Sequence, residues 1–427
     1  MERETPKTFC ALAWVHSFVN IGGEYQVCCT ADEFSPGIDN GDGKVLNIKD
    51  NPSLEQVMNS SYMKEMRAKM MNGQWSSACL RCLEGEKMGG TSRRQIENDR
   101  YAHMIPSLIK ATHHDFSIPL EIKYADYRLA NLCNLQCRMC NPRSSTMWLK
   151  DWNNIKNPNS GEIFSQKSMS EFASYDWIDS PYLLEELKSK VRSLDTLHFA
   201  GGEPLVTKQM SRMLEICVEE GVAHKILLSY NTNLTRIPEK VLELWKQFRE
   251  VKLLVSVDGP DKVNDYIRPP IKWQVIEKNL RYLDENAEKY KISEILLSTT
   301  VQAYNILSLP DMYQHLKTYR MVDPAMNLIN LYGPHYLRTQ ILPPIVKDYA
   351  SEQLTKIKDD LLKRLPDHQK YLVQNIDLII HFMYEEDLTR LIPEFRRFTN
   401  EIDKLKGMKF AEYLPNLHKM INFGLHC

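Results

Sequence analysis

The chain has 427 residues, 43% hydrophobic and 26% charged, which bounds it as a soluble globular protein with a main domain and one or two attachments. Lys plus Arg total 54 against 55 Asp plus Glu, so the bulk charge gives no pull towards nucleic acid or an anionic membrane. There is no run of about 18 apolar residues, and Met1 to His16 lacks the apolar core of a secretory signal. We therefore expect no membrane span, no nucleic-acid partner and a cytoplasmic location.

In chain order, the first hundred residues are cysteine-rich, with glycine turns at Gly22-Gly23, Gly41-Asp42-Gly43 and Gly89-Gly90. One helix is expected over 54–71, with Met63, Met66 and Met70 as its packing stripe. From about 118 onward, β-rich apolar runs alternate with amphipathic helices. The runs are 120–129, 194–199, 225–230, 251–257, 292–301 and 325–331. Among the helices, 208–220 places Met210, Met213, Leu214, Cys217 and Val218 on one face, and 275–287 does so with Ile276, Leu280, Leu283 and Ala287. Six strands alternating with helices point to a parallel sheet, open or curled into an incomplete barrel. The polar stretch 141–181 interrupts the first repeat as a long loop, and beyond Pro343 the pattern is helical.

Ten cysteines stand at Cys10, Cys28, Cys29, Cys79, Cys82, Cys133, Cys137, Cys140, Cys217 and Cys427. In a reducing compartment, clustered thiols more often bind metal than form disulfides. Cys133-Asn134-Leu135-Gln136-Cys137-Arg138-Met139-Cys140 follows the first expected strand of the alternating region. Three thiolates so close can wrap one cubane cluster and leave one iron open, as a catalytic metal site requires. A zinc knuckle with a distant fourth ligand is the competing reading of these thiols alone. Gly201-Gly202-Glu203-Pro204 follows the second of these strands, Ser229-Tyr230-Asn231-Thr232-Asn233 the third, and Ser256-Val257-Asp258-Gly259 the fourth, leading on to Arg268. Taken singly these are ordinary turn residues. Their order at strand ends, where parallel α/β folds bind ligands, sets them apart.

Together these motifs resemble those of the radical S-adenosylmethionine superfamily. The resemblance implies an incomplete (β/α)6 barrel, a [4Fe-4S] cluster on Cys133, Cys137 and Cys140, and S-adenosylmethionine on its open iron. Electron transfer into the sulfonium would then give a 5′-deoxyadenosyl radical. It further implies that Gly201, Gly202, Glu203 and Pro204 receive the cosubstrate's ammonium, and that Asn231 and Asn233 hold the ribose hydroxyls. Ser256, Asp258 and Arg268 would hold its carboxylate, and Met139 and Val301 would lie near adenine.

Cys10, Gly23-Glu24-Tyr25-Gln26-Val27-Cys28 and Cys79-Leu80-Arg81-Cys82 resemble the twitch half of SPASM modules, which normally follow the barrel but here precede it. Cys10, Cys28, Cys79 and Cys82 are thereby expected to hold a second [4Fe-4S] cluster, with a structural zinc on the same four thiols as the alternative. Cys29 is expected to pack first and to ligate second, and Cys217 is expected to be a core residue. The organisation is then a twitch-like module over 1–110, a partial barrel over 118–335 and a helical region over 336–427. The resemblance extends to maturases of sulfatases and ribosomal peptides, which implies oxidative modification of a peptide or protein side chain, with flavodoxin or ferredoxin as electron donor. A carbohydrate or nucleoside-like metabolite is the second substrate class, and a non-catalytic iron-sulfur electron carrier is the reading outside enzymes.

Overall fold

A computed structural model describes residues 5–31, 37–155, 175–365 and 370–423. Cys427 and most of the expected loop at 141–181 lie outside the described residues. The chain forms a mostly parallel α/β sheet with helices following it, and it divides into two compact units.

The first unit comprises residues 1–130, 175–229 and 240–250. Its strands are β1 (His16–Val19), β2 (Tyr25–Gln26), β3 (Tyr124–Arg128), β4 (Thr196–Ala200) and the start of β5 (Leu227–Thr232), in the order β2-β1-β3-β4-β5. β1 runs parallel to β3, with His16 opposite Tyr124 and Phe18 opposite Asp126, and β3 runs parallel to β4, with Asp126 opposite His198. β2 is antiparallel to β1. Periodicity gives no sign of β1, because its four residues are all buried and so carry no alternation.

The expected helix over 54–71 divides into Leu54–Met58 and α1 (Ser61–Met71). Ser53 and Ser60 each accept the backbone N–H three residues on, so each starts its own helix. Met63, Met66 and Met70 are buried as the stripe requires. α2 (Leu80–Lys87) begins at Cys79, and α3 (Arg93–Arg100) is fixed by a capping box. In that box Ser92 accepts from Gln95 N while the Gln95 side chain accepts from Ser92 N. On α4 (Lys208–Glu219), Met210, Met213, Leu214 and Cys217 face the core, and Ile216 is buried where Val218 was expected.

The second unit comprises residues 131–174, 230–239 and 251–427. Here β6 (Glu250–Ser256), β7 (Ile292–Val301) and β8 (Val322–Asn330) pair in parallel in that order. α5 (Asp261–Ile267) and α6 (Trp273–Glu285) connect the first two of these strands, with Trp273, Ile276, Leu280 and Leu283 buried. The Asp284 carboxylate accepts from the backbone N–H groups of Arg320, Met321 and Val322, which sets the entry into β8. The expected C-terminal helices are α7 (Pro344–Leu362), α8 (Lys370–Glu385), α9 (Ile392–Lys406) and α10 (Pro415–Phe423). No helix among the described residues is long and apolar enough to cross a membrane.

Candidate active site: the cysteine loop and its surroundings

The cysteine loop is held chiefly by backbone bonds, as a loop that must keep its thiols aimed requires. Gln136 N donates to Pro269 O at 2.7 Å and Arg138 N to Ile267 O at 2.8 Å, so the loop is zipped to the chain that follows α5. From the other side, Ser145 Oγ donates to Leu135 O at 2.6 Å and Trp148 Nε1 to Cys137 O at 3.1 Å. Cys137 O also accepts from Cys140 N at 2.9 Å, so the carbonyls beside the thiols are satisfied from within the loop and from outside it. Cys137 is buried, while Cys133 and Cys140 are partly exposed.

Residue 268 lies between the two carbonyls that the loop uses. Its guanidinium is buried, with Nε donating to Asp258 Oδ2 at 2.8 Å and Nη1 reaching Cys137 Sγ at 3.8 Å. Asp258 is itself fixed, because Oδ1 accepts from Thr300 N at 3.0 Å and its own N–H donates to Asn264. Burial alone would lower the Arg268 guanidinium, but the Asp258 carboxylate and the neighbouring thiols more than offset it and leave it raised. Burial raises the Asp258 carboxyl, with the guanidinium as the opposing influence. Cys137 and Cys140 share a hydrogen bond that disposes Cys140 towards the thiolate, and the Arg268 charge favours ionisation at both.

Asn233 stands beside Cys133, with Nδ2 at 3.9 Å from Sγ and 2.9 Å from Asn134 Oδ1. Thr235 ties the same group together through Asn134 and Asn233. Among the acceptors of this unit that are buried without a hydrogen-bond partner are Asn231 Oδ1 and Gln302 Oε1, and each remains able to receive a ligand's N–H or O–H. Met139 and Ser256 are half-buried, and Val301 is buried at the end of β7. Of the expected site residues in this unit, the fold gathers Cys133, Cys137, Cys140, Asn233, Asp258 and Arg268 into contact around one loop.

Gly201, Gly202, Glu203 and Pro204 lie in the first unit at the end of β4. Gly201 has φ +116°, and a side chain there would meet Ala130 O and Leu129 N at 2.8 Å. Only glycine fits so close a crossing. Gly202 N donates to Ala130 O at 2.9 Å, and the buried Glu203 accepts from Leu205 N at 3.0 Å.

In the same unit, Cys10 is buried and Cys28, Cys79 and Cys82 are partly exposed. Burial pushes the Cys10 thiol up, and Cys28, Cys79 and Cys82 push it further, so these four thiols act on one another. Burial likewise raises Cys28 to about 11 and Cys79 to about 12. Cys29 also acts on Arg93, Arg128 and Tyr124. Among the described residues, no three His, Cys, Asp or Glu side chains converge tightly enough for a single metal ion. A cluster asks for less convergence, because each of its irons takes its own thiolate. His113 and His114 are exposed.

Two groups of residues escaped the sequence reading. One is a buried polar row in the first unit: His16 on β1, Asp126 on β3 and His198 on β4, with Arg93, Glu97 and Arg128 around them. The only sequence signal for it is a polar residue inside each apolar strand. The other group, Asp403 and Lys406 on α9, reads in sequence as an ordinary solvated helix face.

Residues 127–298 match the family model described as Radical SAM superfamily. None of the curated proteins matches the chain. Two similar solved structures are anSMEcpe with bound AdoMet and Kp18Cys peptide, and Streptococcus suis SuiB bound to precursor peptide SuiA. The first is 16% identical, covering 56% of this chain and 61% of that chain at a TM-score of 0.36. The second is 14% identical, covering 70% of this chain and 60% of that chain at a TM-score of 0.32. The chain thus matches about three fifths of the length of each.

Proposed function

From the match of residues 127–298 to the Radical SAM superfamily, we propose that the protein uses S-adenosylmethionine and a [4Fe-4S] cluster on Cys133, Cys137 and Cys140 to oxidise a peptide or protein side chain. When bound, the cluster and cosubstrate supply a reductively generated 5′-deoxyadenosyl radical able to abstract hydrogen from an unactivated C–H bond. The chain's own residues bind, orient and exclude water.

The observation that carries the reading is the Asp258–Arg268 pair set against Cys137. The guanidinium keeps further N–H donors beyond the one given to Asp258, and planar forks of this kind suit a carboxylate. Held beside the thiols, it can receive the cosubstrate's carboxylate and stabilise negative charge on the sulfurs together. Asn231 offers its unpartnered carbonyl to a ribose hydroxyl, and Asn233 keeps its amide beside Cys133. Met139 and Val301 would flank adenine.

Cys10, Cys28, Cys79 and Cys82 would hold a second [4Fe-4S] cluster, which would supply the one-electron acceptor that a net oxidation needs. What supports this reading is that Cys28, Cys79 and Cys82 each act electrostatically on the buried Cys10, as thiols of one neighbourhood do. Flavodoxin or ferredoxin would serve as electron donor.

The test is anaerobic reconstitution, reduction and addition of S-adenosylmethionine. The cosubstrate is expected to perturb the electron paramagnetic resonance spectrum of the cluster, and 5′-deoxyadenosine is expected to form faster with a peptide library than with a metabolite extract. An unperturbed spectrum would overturn the cofactor reading, and stimulation by metabolites alone would overturn the substrate class.

A further inference from the structure

We propose that Asp403 and Lys406, on the C-terminal helix α9, are positioning residues for the cysteine loop, acting through the two non-cysteine residues that flank Cys137. This rests on the reading of that loop as the cluster site. Neither residue lies within the matched stretch 127–298.

The contact starts from the loop's own sequence. Gln136 and Arg138 are the neighbours of Cys137, and both are buried, which makes the partners that each does have costly to remove. Arg138 Nε donates to Tyr266 O at 2.7 Å, and Nη2 donates to Asp403 Oδ1 at 2.6 Å. The guanidinium also lies 3.5 Å from the centre of the Tyr266 ring. Gln136 Nε2 donates to Met147 O and to Asp151 Oδ2, and its Oε1 accepts from Lys406 Nζ. Lys406 reaches the same Asp151 carboxylate at 3.4 Å. Asp403 and Lys406 stand three residues apart, hence on one face of α9. One turn of helix therefore grips the loop on both sides of a single cysteine.

Asp403 does more than pair with Arg138. The same Oδ1 accepts from Tyr266 Oη at 2.8 Å, and Oδ2 accepts from Phe410 N at 2.6 Å. Tyr266 begins the segment whose carbonyls receive the loop's N–H groups and whose Arg268 faces Cys137. One carboxylate thus sets both the loop and the segment that carries the guanidinium. The separation between Cys137 Sγ and Arg268, and with it the charge felt by the thiols, is tied to where α9 sits.

The experiment uses the full chain with three variants: Asp403→Asn, Asp403→Glu and Lys406→Met. In the protein as purified, before any cluster is loaded, hydrogen exchange over residues 133–140 is expected to rise at least tenfold in Asp403→Asn and to return towards wild type in Asp403→Glu. After reconstitution, Asp403→Asn is expected to keep its iron and to show a shifted cluster midpoint potential and an altered response to S-adenosylmethionine. Wild-type exchange over 133–140 in Asp403→Asn, or an unchanged potential with full iron, would overturn the proposal. Should Asp403→Asn fail to fold, Lys406→Met decides by the same exchange measurement. If wild-type protein itself gives no response to the cosubstrate, the cofactor reading has failed, while the exchange arm still judges the clamp.

Discussion

Asp258 and Arg268 form a buried ion pair at 2.8 Å, and the same guanidinium lies 3.8 Å from the sulfur of Cys137. A buried pair of this kind is costly to break from one side, because the remaining charge has no solvent to turn to.

For that pair, Arg268→Met should destabilise the protein by about 3–5 kcal/mol, and Asp258→Asn should do so to a similar extent. Arg268→Lys should be milder in stability yet still weaken cosubstrate binding, since an ammonium cannot bridge Asp258 and a second carboxylate in one plane. Denaturant unfolding together with cosubstrate titration separates the two effects. Equal binding by Arg268→Lys and wild type would remove the guanidinium from the proposed carboxylate site.

Replacing Cys133, Cys137 and Cys140 together with alanine should halve the iron and abolish 5′-deoxyadenosine release. Wild-type protein should reconstitute with about eight irons per chain, or about four if the N-terminal thiols hold zinc. Iron, sulfide and zinc analysis reads this directly. Full iron in the triple variant would show that the loop is not a cluster site.

His16 should make the protein sensitive to acid. Burial holds its ring down to about 3 from an ordinary 6.5, with Arg93 and Lys190 adding to the effect and a bond to Val27 O opposing it. The folded state therefore favours the neutral ring. That contribution is complete above about pH 6.5 and is lost as the pH falls towards 3, at about 1 kcal/mol per pH unit. Unfolding free energies measured from pH 7 to pH 4 should fall more steeply for wild type than for His16→Gln. Parallel slopes would assign the acid loss elsewhere.

Gly201→Ala should destabilise the first unit. With φ at +116° and backbone atoms at 2.8 Å, the added methyl has nowhere to go, and strain of about 1–3 kcal/mol is expected. Gly43→Ala, which shares a positive φ but has nothing near it, should suffer only the conformational part. A melting temperature no lower for Gly201→Ala than for Gly43→Ala would deny the close crossing.

What the sequence made legible follows its periodicities. The six strands of the alternating region were readable because each is an apolar run bounded by turns, and they appear from Tyr124–Arg128 to Val322–Asn330 within a few residues of expectation. The cysteine loop, Asp258 and Arg268 are singled out by their order along the chain, and the fold brings them into contact. His16–Val19 was not, since four buried residues in a row fit strand and helix alike. Nor were Ser53 and Ser60 read as two separate helix starts, although both are favoured capping residues. Asp403 escaped for a different reason: its partner Arg138 is 265 residues away, and no local pattern signals so distant a bond.

The parallel pairing of His16–Val19 with Tyr124–Arg128 has a consequence for how the chain is made and handled. During synthesis the early strand has only the short hairpin partner Tyr25–Gln26 until the later strand has left the ribosome, which favours slow assembly and reliance on chaperones. Trimming the first twenty residues would strip a neighbour from Tyr124–Arg128 and leave a bare sheet edge prone to aggregation, so N-terminal truncation is a poor route to a smaller, soluble fragment.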